Sequence, residues 1–301
     1  MQNLITEQRL KRSAFLDRMT VEEITALMNE EDATVAESIK KELPDINRLI
    51  HQVVQQLKEE GRIIYIGAGT SGRLGLLDAV EVVPTFGVSD QVFQGIIAGG
   101  RGAFVKAREG AEDSFELAVE DLKAIELTDK DMVIGIAASG RTPYVIGGLR
   151  YAQSIGAKTG SLSCNKNSLI SKEAMYPIEL SLGPEVLSGS TRLKAGTGQK
   201  MVLNMISTAS MVRMGKAYEN LMVDVTATNE KLLARAIGII QAATNCSQAV
   251  AQEYFESSGR ETKVAIIRIL TGMSLEEARA QLQKNQGFIR PIIEENMEAK
   301  Q

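Results

Sequence analysis

Between residues 62 and 182, five short apolar runs alternate with stretches of helical spacing, and that alternation leaves the chain few architectures. The runs span residues 62–66, 92–98, 132–138, 158–163 and 177–182, and the first closes on Gly67 as a buried parallel strand does. Helical stretches at 72–80, 102–125, 144–155 and 169–174 separate most of them. Strands that alternate with helices imply right-handed βαβ crossovers and a parallel sheet covered on both faces. The expected fold is therefore α/β: a five-stranded parallel sheet flanked by helices, with an N-terminal helical arm and a small C-terminal helical bundle.

The flanks read differently. Residues 1–60 have helical spacing, and Thr20-Val21-Glu22-Glu23 carries the spacing of a capping box. From Thr191 onward the pattern stays helical, with Met201, Met205, Met211 and Met214 expected as core packing. Residues 230–301 read as short helices broken at Ser257-Ser258-Gly259, at Thr271-Gly272-Met273-Ser274 and at Gln286-Gly287. Ser274-Leu275-Glu276-Glu277 repeats the capping-box spacing. The expected division is an arm at 1–54, a sheet domain at 55–226 and a bundle at 227–301.

Composition removes several classes of function. The chain has 34 Lys and Arg against 38 Asp and Glu, a net charge of −4, so no basic excess marks it for nucleic acid. No apolar run reaches the roughly 18 residues that a membrane span needs, and no long basic run suggests a membrane surface. The start of the chain is polar and has no signal-peptide pattern, so the expected location is the cytoplasm. Cys164 and Cys246 lie far apart without metal-ligand spacing and are expected as reduced thiols. His51 is the single histidine, which excludes a His-dependent triad. No metal and no cofactor are expected.

Chemistry is concentrated in two loops. Gly67-Ala68-Gly69-Thr70-Ser71-Gly72-Arg73 follows a strand and opens a helix, and it fits the GxGxxG pattern of a dinucleotide site. Such a site wants an acidic residue at the end of the second strand, but that strand ends in Ile97-Ala98-Gly99-Gly100. Glu81 comes too early, before Pro84. Free backbone N–H groups, the helix dipole and the hydroxyls of Thr70 and Ser71 instead suit a phosphate monoester. Ala137-Ala138-Ser139-Gly140-Arg141-Thr142-Pro143 repeats the arrangement after a later strand, with Pro143 suited to a first helical turn. Together the loops define a pocket at the usual ligand crevice of a parallel sheet.

These loops resemble the sugar isomerase (SIS) family of phosphosugar-binding domains, which implies a flavodoxin-like sheet and a small-molecule sugar phosphate as partner. The resemblance makes Ser71, Ser139 and Thr142 the phosphate ligands, assisted by Thr70 and the local amides of Gly69 and Gly140. Many SIS domains have another Ser where Ala137 stands. Residues 183–197, from Gly183-Pro184-Glu185 through Ser190-Thr191-Arg192-Leu193-Lys194 to Thr197, resemble a signature shared by N-acetylmuramic acid 6-phosphate etherases and the glucokinase regulatory protein. Asp78-Ala79-Val80-Glu81, Gly110-Ala111-Glu112-Asp113 and the Thr6-Glu7 start are similar to the etherase family in particular, although Val82-Val83 stands where that family usually has Cys-Pro.

The etherase resemblance implies removal of D-lactate from the sugar phosphate without a metal. In the open-chain sugar, the C1 aldehyde acidifies the C2 proton, and the lactyl oxygen on C3 is placed to leave. A base takes the C2 proton, an acid protonates the departing oxygen, and water adds back. Two carboxylates held at different pKa values can divide these roles. The resemblance points to Glu81 as the acid that then activates water, and to Glu112 as the C2 base or its helper. Ser190 and Lys194 are expected near the crevice, where Lys194 or Arg192 would hold the lactyl carboxylate or else cap and solvate the next helix. A homodimer is the expected assembly. Competing readings on the same scaffold are a non-catalytic sugar-phosphate sensor and an aldose–ketose isomerase.

Overall fold

Ile63–Gly67 (β1), Phe93–Ile97 (β2), Met132–Ala137 (β3), Lys158–Ser163 (β4) and Tyr176–Glu179 (β5) form one sheet in the order β2-β1-β3-β4-β5. Every pair is parallel, with Gly67 opposite Ile97 on one side and Ile136 on the other. The structure, a computed structural model, describes residues 4–106, 108–225 and 230–299. It divides into two compact units, Met1–Val80 with Asp90–Ser207, and Glu81–Ser89 with Thr208–Gln301. The N-terminal helices, expected as a separate arm, fall within the first unit. The expected boundary between 226 and 227 lies outside the described residues.

β1 and β3 are buried along their whole length, which is why they read as unbroken apolar runs. On one face, Ile64, Ile66 and Val133 pack under Ala118 and Leu122 of α5 (Phe115–Ala124) and under Tyr144, Val145 and Leu149 of α6 (Pro143–Ser154). On the other, Tyr65 meets α3 (Gly69–Phe86), and Gly160 lies under Leu49 of α2 (Leu43–Lys58). Helix α1 (Val21–Lys41) starts at the expected capping box: Glu23 N–H donates to the Thr20 hydroxyl and Thr20 N–H to Glu23 Oε2.

Two expectations need correction. The helix expected over 102–125 is broken into α4 (Gly102–Val105) and α5, with a 3-10 turn at Ala111–Asp113 between them. Gly110 sits at φ 83°, where the chain turns out of helical conformation, and Ser114 restarts it by accepting from Leu117 N–H. The last strand ends at Glu179 rather than at 182. Glu179 turns its carboxylate onto the backbone N–H groups of Asn167 and Ser168, which open the short helix α7 (Leu169–Lys172). As an edge strand, β5 tolerates Pro177, because Leu180 N–H still donates to Ser163 across the pair.

The lower ends of β1 and β3 are tied by Asp131, 2% exposed, which accepts from Arg62 Nε and its terminal nitrogen at 3.1 and 2.7 Å. It also accepts from the backbone N–H groups of Arg62 and Thr128, both at 2.9 Å. Burial alone would raise this carboxyl; the Arg62 and backbone hydrogen bonds outweigh it and hold the group below its ordinary value. Asp131→Ala should therefore cost about 1–3 kcal/mol, because it strips a charged acceptor from two backbone N–H groups and from an Arg62 side chain that stays 22% exposed and keeps the Ile125 and Glu126 carbonyls. Because the folded carboxyl titrates below the unfolded one, its stabilisation is present above the unfolded value and lost as pH falls through the folded value. Thermal melts across pH should show wild type and variant converging in acid; a gap that widened there would contradict this assignment.

In the second unit, α9 (Glu230–Thr244), α10 (Gln248–Ser257), α11 (Thr262–Thr271), α12 (Leu275–Lys284) and α13 (Arg290–Glu298) surround Ile240, Phe255, Val264, Ala265 and Ile266. The Ser274 capping box opens α12 with both of its hydrogen bonds formed. Helix α8 (Lys194–Arg213) begins in the first unit and ends in the second. Among the described residues, no helix is long and apolar enough to cross a membrane.

Candidate functional site

In a sheet of order 2-1-3-4-5 the connections leave β1 and β3 in opposite directions, and a crevice opens between the C-terminal ends of those two strands. A cavity of about 290 Å³ occurs there. Its lining includes Gly69, Thr70 and Ser71 from the β1 loop, Ser139 and Thr142 from the β3 loop, and Glu112 from the 3-10 turn before α5. Six residues singled out from sequence thus border one space. Two larger hollows, of about 500 and 380 Å³, lie along α5 and α6 and beside residues 9–17, away from these loops.

The two loops reach this geometry by different means. Helix α3 starts at Gly69, earlier than expected, so Thr70 and Ser71 belong to its first turn, where backbone N–H groups have no partner within the helix. Ser71 is buried, and its hydroxyl donates to Gln199 Oε1 at 2.9 Å. In the second loop, Gly140 has φ 68°, and a side chain there would collide with Ser168. Its N–H donates to Ala137 O and its carbonyl accepts from Ile170 N–H, so the tight turn leaves Ser139 at the rim. Thr142 occupies the N-cap of α6 yet makes no side-chain cap bond, and Pro143 follows in the first turn. Two helix N-termini with four hydroxyls, those of Thr70, Ser71, Ser139 and Thr142, are suited to a doubly charged phosphate.

The other expected residues are placed elsewhere. Gly140, Ser190, Lys194 and Glu81 are not among the lining residues. Lys194 departs most from expectation: it is 2% exposed, and its ammonium meets Glu31 Oε2 at 2.6 Å. A buried ammonium needs a counter-ion, and α1 supplies one, so this side chain is not free to take a ligand carboxylate. The Lys194 and Ala195 N–H groups donate to the buried carboxylate of Glu185 at 3.0 and 2.9 Å. Those bonds close the 185–195 loop on itself, and Thr191 rather than Ser190 borders the cavity. Burial raises the Glu185 carboxyl, against the two N–H donors that lower it. Glu81 is exposed, ten residues beyond Ser71 on α3, and belongs to the second unit.

Glu7, Arg73, Arg108 and Thr191 also line the cavity, and sequence reasoning does not single them out as site residues. Glu7 is carried there by its neighbours: Ile5 N–H donates to Asn165 Oδ1 at 2.8 Å, and Asn165 Nδ2 donates to the buried Thr6 hydroxyl at 3.1 Å. Arg73 donates to the carbonyls of Ala103 and Phe104, both at 2.9 Å, and so fixes α4 beside the crevice.

Residues 45–153 match the glucokinase regulatory protein N-terminal SIS domain, and residues 219–263 match the C-terminal lid domain of glucokinase regulatory protein. An N-acetylmuramic acid 6-phosphate etherase of Bacillus cereus (strain G9842) is 58% identical over 293 residues, covering 97% of this chain and 100% of that protein. One from Bacillus anthracis is 57% identical over the same length, again covering 97% of this chain and 100% of that protein. Among solved structures, a phosphoheptose isomerase from Francisella tularensis aligns with a TM-score of 0.50 at 15% identity, covering 64% of this chain and 100% of that one. A protein of E. coli CFT073 aligns with a TM-score of 0.50 at 16% identity, covering 67% of this chain and 97% of that one. At these identities the structural likenesses establish the fold alone.

Proposed function

Since the chain belongs to the N-acetylmuramic acid 6-phosphate etherase family, we propose that it binds the phosphate of its substrate through Ser71, Ser139 and Thr142 and breaks the lactyl ether with Glu112 and Glu81. The enzyme removes D-lactate from N-acetylmuramic acid 6-phosphate and yields N-acetylglucosamine 6-phosphate. The observation that carries the assignment of residues is the shared lining of Ser71, Ser139, Thr142 and Glu112 around one cavity at the sheet's crevice. Glu112 takes the C2 proton of the open-chain sugar, the lactyl oxygen leaves with a proton from Glu81, and water activated by Glu81 adds at C3. The enzyme works in the cytoplasm as a homodimer, which sedimentation of the purified chain tests.

Solvent labels test the route. Turnover in heavy water should place deuterium at C2 of the product, and turnover in ¹⁸O-water should place the label at C3. Displacement at the lactyl carbon would instead leave the original oxygen on C3 and label the lactate. Product labelled with ¹⁸O at C3 but without deuterium at C2 would overturn the elimination, provided Glu112 exchanges with solvent.

The phosphate ligands are tested one at a time. Ser71→Ala and Ser139→Ala should each weaken binding of N-acetylglucosamine 6-phosphate by about 1.5–3 kcal/mol, the worth of a hydrogen bond to a charged group. Melting temperature should be little changed in the Ser139 variant and lowered in the Ser71 variant, which also loses the buried bond to Gln199. Unaltered affinity in both variants would remove this pair of loops as the phosphate site.

A further inference from the structure

Ser71 as it stands cannot serve the phosphate, because its single hydroxyl proton is already donated to Gln199 Oε1. A phosphate dianion only accepts hydrogen bonds, so Ser71 must turn that proton away from Gln199 before it can hold the ligand. Gln199 lies on α8, 0% exposed, and its amide nitrogen Nε2 is buried with no hydrogen-bond partner among the described residues. A carboxamide with one end engaged and the other unpartnered is unusual in a protein interior, where buried polar atoms are almost always paired.

Rotating the Gln199 amide half a turn exchanges its oxygen and nitrogen with almost no change of shape. Nε2 then donates to Ser71 Oγ, and the Ser71 proton is released toward the cavity. The resulting chain runs from amide to hydroxyl to phosphate, and each donor is strengthened by the one behind it. Either orientation leaves one amide atom unpartnered, so the two lie close in energy. The unpartnered N–H of the present state is the less tolerated of the two.

Resting on the reading of Ser71 as a phosphate ligand, we propose that Gln199 is a positioning residue whose amide, turned so that Nε2 donates to Ser71 Oγ, aims the Ser71 hydroxyl at the ligand.

Two substitutions separate this role from packing. Gln199→Glu keeps the shape but, when ionised, only accepts, so it locks the Ser71 proton away from the ligand. Gln199→Met keeps the length and removes both donor and acceptor, so it frees the proton without strengthening it. Dissociation constants for N-acetylglucosamine 6-phosphate and the KM of turnover should rise in the order wild type, Met, Glu, with Glu roughly ten- to hundredfold weaker. The loss should fall on KM rather than on kcat. In a Ser71→Ala background, neither substitution should weaken binding further, because Gln199 acts only through that hydroxyl.

If either Gln199 variant weakens binding by the same factor with and without Ser71, Gln199 has a packing role and the proposal fails. If the Met variant is weaker than the Glu variant, the donating role of the amide is wrong. Should the buried glutamate prevent folding, the Met variant in the two backgrounds still decides the matter. Should Ser71→Ala alone leave affinity unchanged, Ser71 is not a phosphate ligand and the Gln199 proposal falls, while the reading of the two loops still stands or falls with Ser139→Ala.

Discussion

Glu81→Gln is expected to reduce lactate release by about 10²–10⁴-fold while leaving the binding of N-acetylglucosamine 6-phosphate intact. The amide matches the carboxylate in size but exchanges no proton near neutral pH, so if Glu81 is the acid, departure of the lactyl oxygen and activation of water both lose their catalyst. Glu81 is exposed on α3, so the substitution should not disturb the fold, and melting temperature serves as the control. The measurements are steady-state lactate release and calorimetric titration with the product. Turnover at the wild-type rate would show that another group protonates the leaving oxygen.

Glu112→Gln is expected to cost a comparable factor, and to cost something Glu81→Gln does not: entry of solvent deuterium at C2. If Glu112 is the base, its loss stops proton removal itself, so product incubated with the variant in heavy water should keep its C2 hydrogen. The Glu81 variant should still exchange C2 of any bound open-chain sugar. The cap of α5 is Ser114, not Glu112, so the helix start survives the change. Full C2 exchange in a Glu112→Gln variant that releases no lactate would assign the base to a different residue.

Much of the sheet is legible in the sequence. The observed β4 has the bounds expected of it, and β1, β2 and β3 differ by a residue at one or both ends. Strands buried on both faces leave a plain signal, because nearly every side chain must be apolar. The two hydroxyl loops are legible for a related reason: a strand end, a glycine and a helix start fix where Ser71 and Ser139 must lie. Residues 102–125 mislead because helical spacing continues through Gly110, while the left-handed backbone there depends on a turn that spacing does not report. Glu7 and Thr191 stand in stretches that carry the family resemblance, but nothing in the spacing places either at the cavity. Glu7 reaches the cavity because Thr6 bonds to Asn165, a pairing between residues far apart in the chain. Lys194 misleads because its charge suggests a ligand, and its counter-ion Glu31 stands on a helix with no sequence relation to it.

Pro177 bears on how copies of this enzyme behave when crowded. Leu180 N–H donates inward to β4, and backbone direction alternates along a strand, so the nitrogen of residue 177 faces away from the sheet. An ordinary residue there would offer an outward N–H to any extended segment that drifted alongside. Proline has none, and the strand is only four residues long, ending in the charged Glu179. This margin of the sheet, one of its two edges, is thus a poor template for intermolecular strand pairing, and association along β5 is disfavoured at high protein concentration.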